Sequence, residues 1–261
     1  MNKLFFVCVS LILSARGFAA PSLGGHTDAT RAAITSPARE AKAAMGIDDT
    51  GWRVVAETSN VITWTTPENV PVSLTVQNAK PASFPDPTNA VGAQQYYRAE
   101  ASTRKSGIVE VTSFPVSGVL CNLVTTKFCQ ADDFPELSAF GNGYLITAII
   151  PTSKATYLLH VAGVEGNITG AREAVAYFVA SSKGDSEREG ISDRRDPYDS
   201  RYDQGAFYAP SDARKWDEVS PDHPLTRCRR TIDNVIKGLH LSDDLQRDAL
   251  FKTTANGWQA Q

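Results

Sequence analysis

IVEVTSF at residues 108–114, VLCNLVTTKFC at 119–129, YLITAII at 144–150 and TYLLHVAGVE at 156–165 follow one another in the middle of this chain. These runs are dense in Val, Ile, Leu, Phe and Tyr, which fit a pleated, half-buried surface better than a helix. Turn formers separate them at Pro115, Ser117-Gly118, Gly141-Asn142-Gly143 and Pro151-Thr152. Short strands joined by short turns make a mostly antiparallel sheet.

Upstream of this region, Trp52-Arg53-Val54-Val55-Ala56 and Val61-Ile62-Thr63-Trp64 read as two strands, and Val72-Ser73-Leu74-Thr75-Val76 alternates at period two as a third. The Pro-rich connection at 81–87 stops any strand, and Asp86 or Thr88 can cap a helix running to about Thr103. Thr169 is placed to cap another helix over 171–179. Farther on, Asp222-His223-Pro224 opens a helix that Gly238 closes, and Ser242-Asp243-Asp244 starts a last one with acidic residues in its first turn. Residues 21–46 read as a loose arm or a short helix interrupted by Pro37.

The pattern therefore predicts an α+β fold: a predominantly antiparallel sheet of about six to seven strands with packed helices, plus a C-terminal helical extension. In domain terms it predicts a signal peptide over 1–20, the sheet domain over 21–182, an irregular charged connection over 183–222 and the extension over 223–261. The leader reading rests on Asn2-Lys3, the apolar run at 4–13 and the small residues Gly17-Phe18-Ala19-Ala20, too short a run to span a bilayer. Export is the expectation, to the periplasm or outside the cell, with no membrane span in the mature form. Loss of Lys3 and Arg16 takes the 26 basic residues to 24 against 29 acidic ones, a net charge near −5. That balance is unsuited to nucleic acid.

Cys121, Cys129 and Cys228 remain after the leader. On one continuous strand Cys121 and Cys129 would share a face but lie roughly 26 Å apart, and could bridge only if the strand breaks between them; a bridge from either to Cys228 would instead staple the C-terminal region to the sheet. Buried unpaired thiols are the other reading. No Cys/His cluster suggests a metal, and no cofactor is expected.

The element order resembles the Mog1/PsbP-like group, an antiparallel sheet with a helix after the third strand and a C-terminal helix. The likeness is carried by residues 52–66, 72–76, 88–103, 108–165 and 171–181, about half the chain. The resemblance implies a protein that works by binding other proteins, as adaptor, assembly factor or chaperone. Everything from Ser182 onward departs from that group, and no residue role is carried over.

For chemistry, His160 lies on the strand face opposite Leu159 and Val161. It could be a catalytic base with Cys121 as nucleophile, or a packed sheet histidine. Asp222 could orient His223, or simply cap the helix that Pro224 begins. Neither G-x-S-x-G nor H-E-x-x-H occurs, and no glycine loop suits a phosphate. Asp193, Asp196, Asp199 and Asp203 miss the spacing of a calcium loop and read as solvated charge. Asn167-Ile168-Thr169 matches a glycosylation sequon and equally a helix cap.

What remains is surface. Tyr198, Asp199, Tyr202, Asp203 and Trp216 mix the aromatic and acidic types of an interface and are the candidate partner contacts; alternatively the aromatics pin the connection onto the domain. The expected function is an exported, non-enzymatic protein-binding module of the bacterial cell envelope, with a toxin or envelope enzyme as partner and toxin immunity as its most concrete form. The alternative is an envelope hydrolase or small-ligand binder with a pocket near His160.

Overall fold

A computed structural model of the chain describes residues 36–78, 84–102, 106–129, 142–166, 170–184, 208–254 and 257–260. Strands β1 (Arg53–Glu57), β2 (Val61–Thr65), β3 (Pro71–Gln77), β4 (Ser106–Val116), β5 (Val119–Cys129), β6 (Asn142–Pro151) and β7 (Thr156–Val164) fall where the sequence pattern places them. Two further strands, β8 (Phe251–Thr254) and β9 (Gly257–Ala260), were not expected. All described strands form one antiparallel sheet in the order β1-β2-β3-β7-β6-β5-β8-β9, with β4 paired to β5.

Pro115 does not end β4, contrary to the sequence reading. The strand runs on to Val116 with Pro115 opposite Leu120, because β5 is its partner and an edge strand tolerates a missing N–H. The turn comes at Ser117 and Gly118, with φ of 47° and 77°, the pair of positive values that a two-residue hairpin loop needs.

The helices are α1 (Pro37–Ala44), α2 (Ala90–Ser102), α3 (Ala171–Ser182), α4 (Pro224–Gly238) and α5 (Asp243–Asp248). Pro37 begins α1 rather than interrupting it: Ser36 accepts the Arg39 N–H, and the proline occupies a first-turn position where a missing N–H costs nothing. The α2 cap is Asn89, whose side chain accepts the Gly92 N–H, while Asp86 accepts from Thr88 one turn earlier. Gly170, at φ 74°, stands at the N-cap of α3 with no side-chain bond. Thr169, the sequon and the leader lie outside the described residues. Ser242 caps α5 as expected, accepting from Leu245.

Strand alternation splits the sheet into two buried faces. The core face carries Ile62, Trp64, Val72, Leu74, Leu123, Ile146, Ile150, Leu159 and Val161, covered by Ala38, Ala41 and Met45 from α1 and its cap and by Cys228 and Ile232 of α4. Burying each such aliphatic side chain contributes about 1.5–3 kcal/mol. Leu239, Leu241, Leu245 and Ala249 belong to the same cluster. The expected C-terminal helices are present, and α4 lays its apolar stripe on this core face. On the second face, Ala93, Tyr97 and Ala101 of α2 pack on Ile108, Val111, Val124, Ile149 and Leu158. Among the described residues no helix is long and apolar enough to cross a membrane.

Candidate functional site

Alternation along β7 sends Leu159 and Val161 to the core face and His160 to the second face. Register then sets its neighbours: Thr63 faces Ser73, Ser73 faces His160, and Thr147 faces His160. These side chains form one row across β2, β3, β7 and β6, and directly opposed Cβ atoms lie about 5 Å apart. Thr147 Oγ1 and His160 Nδ1 are 2.9 Å apart. The imidazole is 1% exposed, and burial holds its pKa down at about 4, so it is neutral at physiological pH. Thr75, Asn122 and Thr156 on neighbouring rows of this face are also buried. The hydroxyls of Thr63, Ser73 and Thr156 find no hydrogen-bond partner, nor does the Asn122 carbonyl oxygen.

Cys121 does not serve His160. It lies in the core cluster on the opposite face, unbridged, its thiol pushed up by burial, so the sheet itself separates the two groups. Cys228 of α4 is likewise buried in that core cluster.

The core face ends in a second polar system. Lys127, Tyr144 and Gly163 stand in one row across β5, β6 and β7. Lys127 Nζ donates to Asp212 Oδ2 at 2.9 Å, lies 3.9 Å from Glu173 and sits over the Tyr144 ring. Beside it, Glu165 accepts from the Asn142 backbone and side-chain N–H, from Tyr144 Oη at 3.2 Å and from His223 Nε2 at 3.1 Å. His223 Nδ1 accepts the Leu225 N–H, which fixes the proton on Nε2 and makes His223 itself the N-cap of α4. Asp222 is exposed and does neither job expected of it. Burial opposes ionisation of Glu165, but the bonds from His223 and Asn142 and the nearby positive charge of Lys127 outweigh it and hold the carboxyl below its ordinary range.

Arg172 completes this system from α3 and is 1% exposed. Its guanidinium donates to the carbonyls of Ser211 and Ala213, to Thr226 Oγ1 and to Asp217 Oδ1, the last at 2.6 Å. The result inverts α3. Its buried side holds Arg172, Ala176 and Ala180, while Ala171, Ala174, Val175, Tyr177 and Phe178 face water, with Tyr177 53% and Phe178 73% exposed.

Of the expected contacts, Trp216 is placed and is not available to a partner. It is 6% exposed in a single 3-10 turn (Arg214–Trp216), packed against Ala176 and Ala180 with Lys215 over its ring. It pins the connection to α3, the other role the sequence allowed. Tyr198, Asp199, Tyr202 and Asp203, like Asp193 and Asp196, lie outside the described residues. The outward face of α3 was missed because an A-x-x-A-V-x-Y-F pattern reads as a face to be buried, and only the placement of Arg172 reverses it. Among the described residues no group of acidic, His and Cys side chains could hold a metal ion.

No family model and no curated protein matches the chain. Among solved structures it is similar to LpqN, involved in cell envelope biogenesis of Mycobacterium tuberculosis, at 15% identity over 53% of this chain and 76% of that one. The TM-score is 0.25, a superposition too loose to establish a common fold.

Proposed function

We propose that this chain is an exported, non-enzymatic protein-binding module of the bacterial cell envelope, with α3 as its docking face. The observation that carries the reading is the inversion of α3. A helix gains most of its stability by burying its apolar side, and this one turns Val175, Tyr177 and Phe178 to water while the buried guanidinium of Arg172 is tied down by several acceptors. Tyr and Phe on a rigid, uncharged ridge are the material of an interface centre. The acidic balance of the chain adds a field that favours a basic partner. The most concrete form is an immunity or inhibitor protein against a periplasm-acting toxin, with Tyr198, Asp199, Tyr202 and Asp203 supplying further contacts.

The test is affinity capture from envelope and culture-fluid fractions with three proteins: the native chain, Tyr177→Ser/Phe178→Ser, and Val91→Ser as a control at an exposed site on α2. A near-stoichiometric partner held by the native chain and the control, and lost by the double variant, supports the reading. Equal capture by the double variant moves the docking face away from α3, and loss only on replacing Tyr198, Asp199, Tyr202 and Asp203 would assign it to them. Capture of nothing across several salt concentrations counts against a binding module altogether.

A further inference from the structure

We infer that the partner seated on the outward face of α3 is a second copy of this chain, docked antiparallel about a two-fold axis that passes beside Ala174 and Val175. This rests on the reading of α3 as a docking face and names the occupant of that face.

Ala171, Ala174, Val175 and Phe178 are all exposed and recur at i, i+3, i+4 and i+7, so they form one stripe along the helix rather than a scatter. The opposite side of α3, with Arg172, Ala176 and Ala180, is the one that packs on the rest of the chain. Nothing charged lies on the stripe. The two charged residues of the helix turn away from it, Arg172 to Asp217 and its other acceptors and Glu173 to within 3.9 Å of the buried Lys127.

Two features select a second copy over a foreign chain. The stripe is graded in size, with the small Ala171 and Ala174 in its first half and the larger Val175 and Phe178 in its second. Antiparallel pairing with an identical stripe sets Phe178 against Ala171 and Val175 against Ala174, and symmetry makes each contact twice. Every large side chain then enters the space over a small one, as interdigitated helix packing requires. The second feature is charge. At a two-fold axis a charged residue meets its own kind, and this stripe has none to repel. Antiparallel docking also brings each helix N-terminus beside the partner's C-terminus, where the dipoles attract. A helix of 12 residues is about 18 Å long, so the contact belongs to the small, transient class and association should depend on concentration.

Sedimentation equilibrium of the purified protein across the micromolar to millimolar range tests this, and a monomer–dimer equilibrium is expected. Each copy carries 29 acidic against 26 basic residues, so added salt should preserve or tighten the dimer, whereas it would loosen a complex with a basic partner. Ala174→Glu and Ala174→Lys each place like charges at the axis, on an exposed helical position that accepts either residue, and each should weaken dimerisation about tenfold or more. Mixed one to one, the two variants should recover a dimer, as only a symmetric contact at residue 174 allows. Melting temperatures should not fall, and Phe178→Ser, which should weaken the dimer likewise, serves if a charged variant folds poorly. Protein that stays monomeric throughout, a dimer that Ala174→Glu leaves intact, or a mixture that stays monomeric would overturn the assignment. Monomeric protein that captures a foreign partner, lost on Tyr177→Ser/Phe178→Ser, removes the second copy and keeps the docking face. Monomeric protein that captures nothing removes both.

Discussion

Lys127 on β5 and Asp212 in the 3-10 turn Pro210–Asp212 meet Nζ to Oδ2 at 2.9 Å, with 2% and 0% of their side chains exposed. The pair joins positions 85 residues apart in sequence and ties the stretch beyond α3 to the middle of the sheet. Asp212 Oδ2 also accepts the Ala209 N–H, so the charge on each side is answered by geometry as well as by its partner.

Breaking a buried pair strands a charge, whereas replacing both members with apolar groups does not. Lys127→Met and Asp212→Asn should each lower unfolding stability by about 3–5 kcal/mol. Lys127→Met with Asp212→Leu should recover much of that loss. Urea unfolding of the two single variants and the double variant checks it, and purely additive losses would mean that the two side chains are not coupled.

His160 sets a pH dependence. Its folded pKa is about 4 against an ordinary 6.5, lowered by burial alone. The unfolded chain therefore takes up a proton between these values that the folded chain refuses, and stability present above pH about 6.5 drains away as pH falls toward about 4, by roughly 3 kcal/mol. His160→Gln should flatten that part of the curve. Glu165 acts lower: its folded pKa is depressed, so its contribution is present above the ordinary Glu value of about 4.5 and is lost as pH falls below it. Urea midpoints measured from neutral to acid pH separate the two, and an unaltered slope in His160→Gln above pH about 5 would remove histidine from the account.

The strands were legible because each alternates or runs apolar for the length of a strand and ends in turn chemistry. Thr63, Ser73 and His160 could not be recognised as a row, since their adjacency depends on a register that only pairing β3 with β7 supplies. The same holds for His223 and Glu165, which are 58 residues apart in sequence. Asp222 looked like the orienting carboxylate because it is next in the chain, but a helix N-cap points its neighbour to solvent. The strands β8 and β9 were missed because FKTT and GWQA are short and carry little alternation.

Gly163 marks a close approach of α4 to the sheet. A Cβ there would come within 2.8 Å of Cys228 Sγ and 3.1 Å of Pro224 Cβ. Gly163→Ala should therefore cost about 1–3 kcal/mol by pushing α4 outward. Cys228→Ala opens space on one side of the contact, so Gly163→Ala/Cys228→Ala should lose less than the sum of the two single changes. A double-mutant cycle by urea unfolding reads this coupling, and independent effects would place the strain at Pro224 instead.

The inversion of α3 makes opposite demands of its two sides. Arg172→Met removes the donor that answers the Ser211 and Ala213 carbonyls, Thr226 and Asp217, so it should cost about 3–5 kcal/mol although it replaces a charge with an apolar group. Phe178→Ser gives up the largest exposed apolar side chain of the helix and should change stability by no more than about 0.5 kcal/mol. Thermal and urea unfolding of both variants decide the point. If Phe178→Ser destabilised the isolated protein as strongly as Arg172→Met, the aromatic ridge would be serving the fold and would not be free to serve a partner.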